Sequence, residues 1–213
     1  METLGKLFNS TARVKIMRLF LLNPNTVFNT KSISSRSKVA MGTLRKELSL
    51  LISAKFIKRK ALSKKNPPAK RRSGKKKKAA SSGAGFVLDQ NFSYGDSLRE
   101  LLIDAAFIKH ETLAKNFKKA GRVKLLIVAG VFTHDPESRL DLLVVGDNLK
   151  RRAVDSYIKN LEAEIGKELS YAMFETSDFL YRRDMYDKLV CDVLDFPHEK
   201  VINAVGVANK VRE

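Results

Sequence analysis

Three shortages in this chain of 213 residues constrain it before any motif is read. A single cysteine, Cys191, excludes an internal disulfide framework and any cysteine-based zinc site, and fits a reducing cytoplasm. Long apolar runs are missing: the longest, Leu125 to Phe132, is far too short to span a bilayer. The first apolar cluster, Ile16 to Leu22, already carries Arg18 and follows an amphipathic helix pattern, so no secretory leader and no membrane partner are expected. Acidic residues are absent between Glu47 and Asp89. That gap holds the densest positive charge in the chain, with 12 Lys or Arg between Lys58 and Lys78.

A segment of that density repels itself and cannot be buried, so it stays solvated until a polyanion neutralises it. Nucleic acid is the natural polyanion. The chain carries a formal charge of +18, and setting aside those 12 charges leaves about +6 for everything else, so the basicity is local. Apolar content of 44% is ordinary for a globular protein with a real core.

The periodicity places a helix from Ser10 or Thr11 to about Leu22, ended by Asn23-Pro24-Asn25. A short strand, Val27 to Asn29, precedes a short helix from Thr30 to about Ser35 and a turn at Lys38 and Val39. A longer helix spans Ala40 to Ser53, with Leu44, Leu48, Leu51 and Ile52 as its buried stripe and Thr43, Arg45 and Lys46 pointing elsewhere. Phe56 to Lys60 and Gly85 to Leu88 read as a hairpin, with the basic run at its tip beside Pro67-Pro68 and Ser81-Ser82-Gly83.

From about residue 95 the pattern becomes that of an α/β domain. Helical character runs from Asp96 or Ser97 to about Ala120, where Gly121 stops it. Buried-type strands follow at Val123 to Val131 and Leu140 to Val145, then Gly146-Asp147-Asn148 as the cap of a helix ended by Gly166. A third strand, Glu168 to Phe174, and two helices, about Ser177 to Arg183 and Met185 to Leu194, precede an apolar stretch, Val201 to Val207.

The succession from Leu7 to Phe92, carried by Ile33, Val39, Leu44, Leu48, Leu51 and Phe56-Ile57, resembles a winged helix-turn-helix. In that family the second helix of the pair enters the major groove and the wing contacts phosphates or the minor groove. The resemblance implies double-stranded DNA as partner. Residues facing it would be Lys38, Thr43, Arg45 and Lys46, then Lys58, Arg59, Lys60, Lys64, Lys65, Lys70, Arg71, Arg72, Lys75, Lys76, Lys77 and Lys78 of the wing. The wing departs from the family in its expansion, about 60 to 84, by low-complexity sequence. Nine of the 12 wing cations are lysines, which favours diffuse phosphate attraction over bidentate base reading. Half of those charges on phosphates would give a log-log salt slope near −5, about −0.9 for each phosphate neutralised. Ser73-Gly74-Lys75 is no phosphate-binding P-loop, because Ala69 and Lys76 stand where that motif needs Gly and Ser or Thr.

A second resemblance rests on Gly130 and on Ser138-Arg139-Leu140-Asp141-Leu142-Leu143-Val144-Val145-Gly146-Asp147, with Tyr171 to Phe174 and Asp178 to Arg182 fitting the same layout. These resemble the minimal nucleotidyltransferase domain. In its active members a Gly-Ser pair holds the triphosphate and three carboxylates on two strands hold two divalent metals. Asp141 matches the second aspartate, but Arg139 occupies the place of the first, Val131 replaces the serine, and the third strand has no carboxylate before Glu175. The motif, Gly130, Arg139, Asp141 and Asp147, is therefore expected to be degenerate, without metal, cofactor or catalysis, with Asp141 a structural carboxylate near Arg139. The histidines His110, His134 and His198 are too widely spaced for a short metal motif. Cys191 falls on an apolar helix face, and Tyr181, Arg182, Arg183 and Tyr186 cluster near the end.

The expected fold class is α+β: residues 1–94 as a winged helix-turn-helix, residues 95–213 as a degenerate nucleotidyltransferase-like domain with a mixed sheet. Together they resemble prokaryotic transcriptional regulators of the cytoplasm and nucleoid, with a C-terminal domain for dimerisation or ligand sensing and a homodimer as the implied assembly. Two alternatives stay open: an active nucleotidyltransferase with a basic arm for a nucleic-acid or protein substrate, and an architectural or RNA-binding protein.

Overall fold

The computed structural model describes residues 2–61, 84–104, 110–135 and 137–207, which form a mixed α and β structure in two compact units. Residues up to 107, with 163–167, form the first, and the remainder forms the second.

In the first unit a short helix α1 (Glu2–Leu7) leads to α2 (Thr11–Leu22), where the Ser10 hydroxyl accepts the Arg13 N–H. Asn29 caps α3 (Thr30–Ser37) in the same way through the Ser32 N–H. Lys38 ends α3 in the left-handed region, at φ 53°, and turns the chain into α4 (Met41–Ser53). Leu44, Leu48 and Leu51 recur on the buried side of α4, against a core that includes Val14, Phe20, Phe28, Ile33 and Phe56. The hairpin β1 (Ile57–Ala61) and β2 (Ala84–Leu88) is antiparallel, with Ile57 opposite Leu88 and Ala61 opposite Ala84. Phe28 adds a single bridge to the other edge of β2, exchanging two backbone hydrogen bonds with Phe86 at 2.9 and 2.8 Å. The strand expected at 27–29 is thus reduced to one residue pair.

Helix α5 (Gly95–Arg99) passes into a π-helical turn at Glu100–Asp104. The single helix expected to run to Ala120 is not continuous in hydrogen-bond pattern, and its residues 105–109 lie outside the described residues. The π-helical turn meets a buried cation, Arg18. Although it is charged it is 1% exposed, and its Nε donates to the Leu102 carbonyl at 2.7 Å and its Nη1 to the Glu164 carbonyl at 3.2 Å. A buried guanidinium needs acceptors, and this turn contributes one of them, the Leu102 carbonyl. Burial lowers the Arg18 pKa to about 10, still far above neutrality, so the group remains a cation. The amphipathic pattern, which sets a charged residue on a wet face, misplaces Arg18.

The second unit begins with α6 (His110–Lys118), which packs on β3 (Arg122–Ala129) and on β6 (His198–Asn203). A 3-10 turn at Gly130–Phe132 ends β3 two residues earlier than its apolar pattern suggests, and β4 (Leu142–Asp147) returns beside it. Then follow α7 (Arg151–Ile165), β5 (Tyr171–Phe174), α8 (Thr176–Asp184) and α9 (Lys188–Asp195). The sheet order is β5-β4-β3-β6, with β4 and β5 parallel and the other pairs antiparallel, so the sheet is mixed. Leu125, Ile127, Leu143 and Val145 join Phe179, Val190 and Val193 in one core cluster. Among the described residues no helix is long and apolar enough to cross a membrane.

Gly146 and Asp147 complete β4, and the helix they were expected to cap starts only at Arg151. The physical reason is proximity. A Cβ on Gly146 would collide with the backbone of Arg122 and Val123, so glycine here permits tight strand pairing rather than a turn.

Candidate nucleic-acid interface

From Thr3 to Leu88 the chain contains one carboxylate, Glu47, and it sits on α4. Glu47 is 8% exposed and turned inward. Its Oε1 accepts from the Ser10 hydroxyl at 2.6 Å and its Oε2 from Arg13 Nε at 2.8 Å. Arg13 also donates from Nη1 to the Phe8 carbonyl at 3.0 Å, so one network holds the α1–α2 junction against α4. Ser10 therefore works twice, as cap of α2 and as donor to Glu47.

Thr43, Arg45, Lys46 and Ser49 of α4 are exposed, and of these Arg45 and Ser49 lie on the side of the helix away from Glu47. Arg45 and Ser49 line an open groove of about 310 Å³ with Met41, Thr30 and, from the hairpin, Arg59 and Phe86. The geometry brings Arg45 and Arg59 to one groove although they lie on different elements. Lys38 is exposed at the turn before α4.

The three cations of β1 do not act as a block. Side chains alternate across a strand, so Arg59 joins the α4 groove while Lys58 and Lys60 line a separate recess with Pro24, Asn25 and Gln90. Lys58 Nζ also lies 3.1 Å from Asp89 Oδ1, and this contact, with the Asn91 N–H, lowers the Asp89 pKa. Lys58 thus already has a counter-charge that its position in a basic run conceals. Lys64, Lys65, Lys70, Arg71, Arg72, Lys75, Lys76, Lys77 and Lys78 lie outside the described residues.

The nucleotidyltransferase-like positions in the second unit are tied into backbone. Asp141 is 7% exposed; its Oδ1 accepts the Val131 N–H and its Oδ2 the Ser170 N–H, both at 2.8 Å. Gly130 stands at φ 56°, where a Cβ would press into Asp141 Oδ1, so the two residues form one turn-locking device. Arg139 is not part of it: its Nε pairs with Asp192 at 2.7 Å, while both Asp141 oxygens accept backbone N–H groups. Asp147 pairs with Lys124 at 2.8 Å and accepts the Thr176 hydroxyl, and both contacts hold its pKa below the ordinary value. Among the described residues no three His, Cys, Asp or Glu side chains converge as a metal site. His110 pairs with Glu199, and Cys191 is half-buried.

Sequence reading missed two features of the interface. One is the neutralisation of Glu47, visible only once α2 and α4 cross. The other is the division of the β1 cations between two faces, which strict strand alternation could have signalled. Comparison of the chain with protein-family models, curated proteins and solved structures gave no match.

Proposed function

We propose that the first unit binds double-stranded DNA as a winged helix-turn-helix, with α4 as the helix that enters the major groove and the hairpin as the wing. The observation that carries this reading is the burial of Glu47. The only carboxylate between Thr3 and Leu88 is withdrawn into a network with Ser10 and Arg13, so the exposed side of α4 meets a polyanion with Thr43, Arg45, Lys46 and Ser49 and no opposing charge. A solvated helix face that served no anion would have no need of that arrangement. The order of α2, the Phe28 bridge, α3, α4 and the β1–β2 hairpin supports the same assignment.

Within this reading Arg45 is the base reader, because its planar fork can address guanine O6 and N7 together, while Lys46 and Arg59 hold phosphates. The protein is a transcriptional regulator, and its second unit is non-catalytic. Asp141, the one metal-type aspartate retained, has both oxygens engaged by backbone N–H groups.

The test is selection of bound fragments from a random duplex library at about 150 mM salt, where diffuse contacts are screened. Wild type should enrich a motif, and Arg45→Ala should relax it at one position while costing roughly 1–3 kcal/mol. Retention of duplex with no motif in wild type would defeat the regulator reading in favour of an architectural protein.

A further inference from the structure

The second unit carries a cationic surface of its own, assembled from segments far apart in sequence. The α6–β3 turn and the β4–α7 turn meet at one end of the sheet. The Lys150 N–H donates to the Ala120 carbonyl at 2.8 Å, Arg122 is the register partner of Asp147, and Gly121 sits so close to Asn148 that a Cβ would stand 2.7 Å from its carbonyl oxygen. This junction gathers Lys118, Lys119, Arg122, Lys150, Arg151 and Arg152, all exposed. Among the described residues none of the six has a carboxylate partner, whereas neighbouring Lys124 is paired with Asp147. The nearest acidic side chains are committed elsewhere: Asp147 to Lys124 and Thr176, and Asp155 to the Tyr171 hydroxyl at 2.7 Å.

Lys118 and Lys119 at the end of α6 suit the negative end of a helix and need no further explanation. Lys150, Arg151 and Arg152 do need one. They stand at or just before the first turn of α7, where the helix dipole is already positive and no acidic residue in that turn offsets them. Three cations there raise the electrostatic cost of the free protein, and a bound anion would reverse it.

We infer that this junction is a second nucleic-acid contact, one that grips the phosphate backbone of a duplex without reading bases. The aromatic residues nearest to it are turned inward: Phe117 is buried and packs edge-on against Tyr157 at 4.9 Å, so no ring is offered for stacking on unpaired bases. Leu149, the apolar residue at its centre, is half-buried against Gly121, so no hydrophobic wedge is offered to a lipid surface. What is left is charge at fixed points, the requirement for gripping phosphates.

The experiment uses the full chain and two triple variants, Lys150→Gln/Arg151→Gln/Arg152→Gln and Lys118→Gln/Lys119→Gln/Arg122→Gln. Fluorescence anisotropy would follow binding to a random-sequence duplex from 50 to 300 mM salt, with circular dichroism verifying the fold. Each triple variant should bind the duplex at least about tenfold more weakly, with a log-log salt slope shallower by about 2 to 3, close to one for each phosphate no longer neutralised. The same weakening should appear in an Arg45→Ala background, so the outcome does not depend on how α4 binds. A folded variant with unchanged affinity and slope would overturn the inference. So would a selective loss of binding to single-stranded DNA or to phosphatidylserine vesicles with duplex binding retained.

Discussion

Glu47 on α4 accepts a 2.8 Å hydrogen bond from Arg13 on α2, and this pair ties α4 to α2 and turns the one carboxylate of α4 away from solvent. The two side chains are 10% and 24% exposed, intermediate between a surface pair and a core pair. Glu47→Ala would leave Arg13 with the Phe8 carbonyl and Ser10 without its acceptor. A loss of about 2 kcal/mol is expected from urea denaturation. A double-mutant cycle with Arg13→Ala should recover most of it as coupling energy, and a coupling near zero would show the two residues act independently.

Arg18 should be among the most sensitive positions in the first unit. Arg18→Ala removes the side-chain donor to the Leu102 carbonyl in a buried site and to the part-buried Glu164 carbonyl, and opens a cavity, for an expected loss of about 3 kcal/mol. Arg18→Met keeps most of the volume and should lose less, a difference read directly by chemical denaturation. The folded pKa of about 10 lies below the ordinary arginine value, so the buried charge opposes folding and is relieved only as pH rises above about 10. No pH dependence from Arg18 is expected near neutrality.

Asp141 and Gly130 should fail together. Asp141→Asn turns an amide NH2 toward one of two backbone donors, Val131 or Ser170, for an expected loss of about 2 kcal/mol. Gly130→Ala adds a Cβ at φ 56° against the same carboxylate, at about 1–3 kcal/mol. Thermal melts of the two singles and the double should show the double costing less than their sum. Strict additivity would mean that the two residues do not share one interaction.

Asp147 supplies a pH test. Lys124 and Thr176 hold its folded pKa below the ordinary 3.8, so its contribution to stability is complete above that pH and is lost as pH falls through the folded value. Lys124→Met should lower the melting temperature at pH 6 and converge with wild type in strong acid. Parallel curves at all pH values would assign the lysine's effect to packing instead.

Much of the first unit was legible in the sequence. The Leu44, Leu48, Leu51 stripe and the Ser10 cap mark α4 and α2 within a residue or two, because local periodicity and capping chemistry are enough to specify amphipathic helices. What failed depends on distant contacts. Gly146-Asp147 resembles a helix cap by local chemistry, yet the backbone of Arg122 and Val123 claims it for the sheet. Arg18 resembles a wet-face residue until Leu102 and Glu164 arrive with carbonyls. The junction cations are separated by almost the whole of β3 and β4 in the chain, and only the meeting of two turns makes them one surface.

The Phe28–Phe86 bridge has a consequence for how the first unit opens. Each amide is capped by the other residue's carbonyl, at 2.9 and 2.8 Å, so solvent deuterium reaches neither without parting the same bridge. Phe28 adjoins the start of α3 and Phe86 lies mid-strand in β2, paired on its other edge with Arg59. The entry to the helix pair and the hairpin therefore share one opening event, and the two protons should be lost with a common free energy, as members of a single cooperative unit.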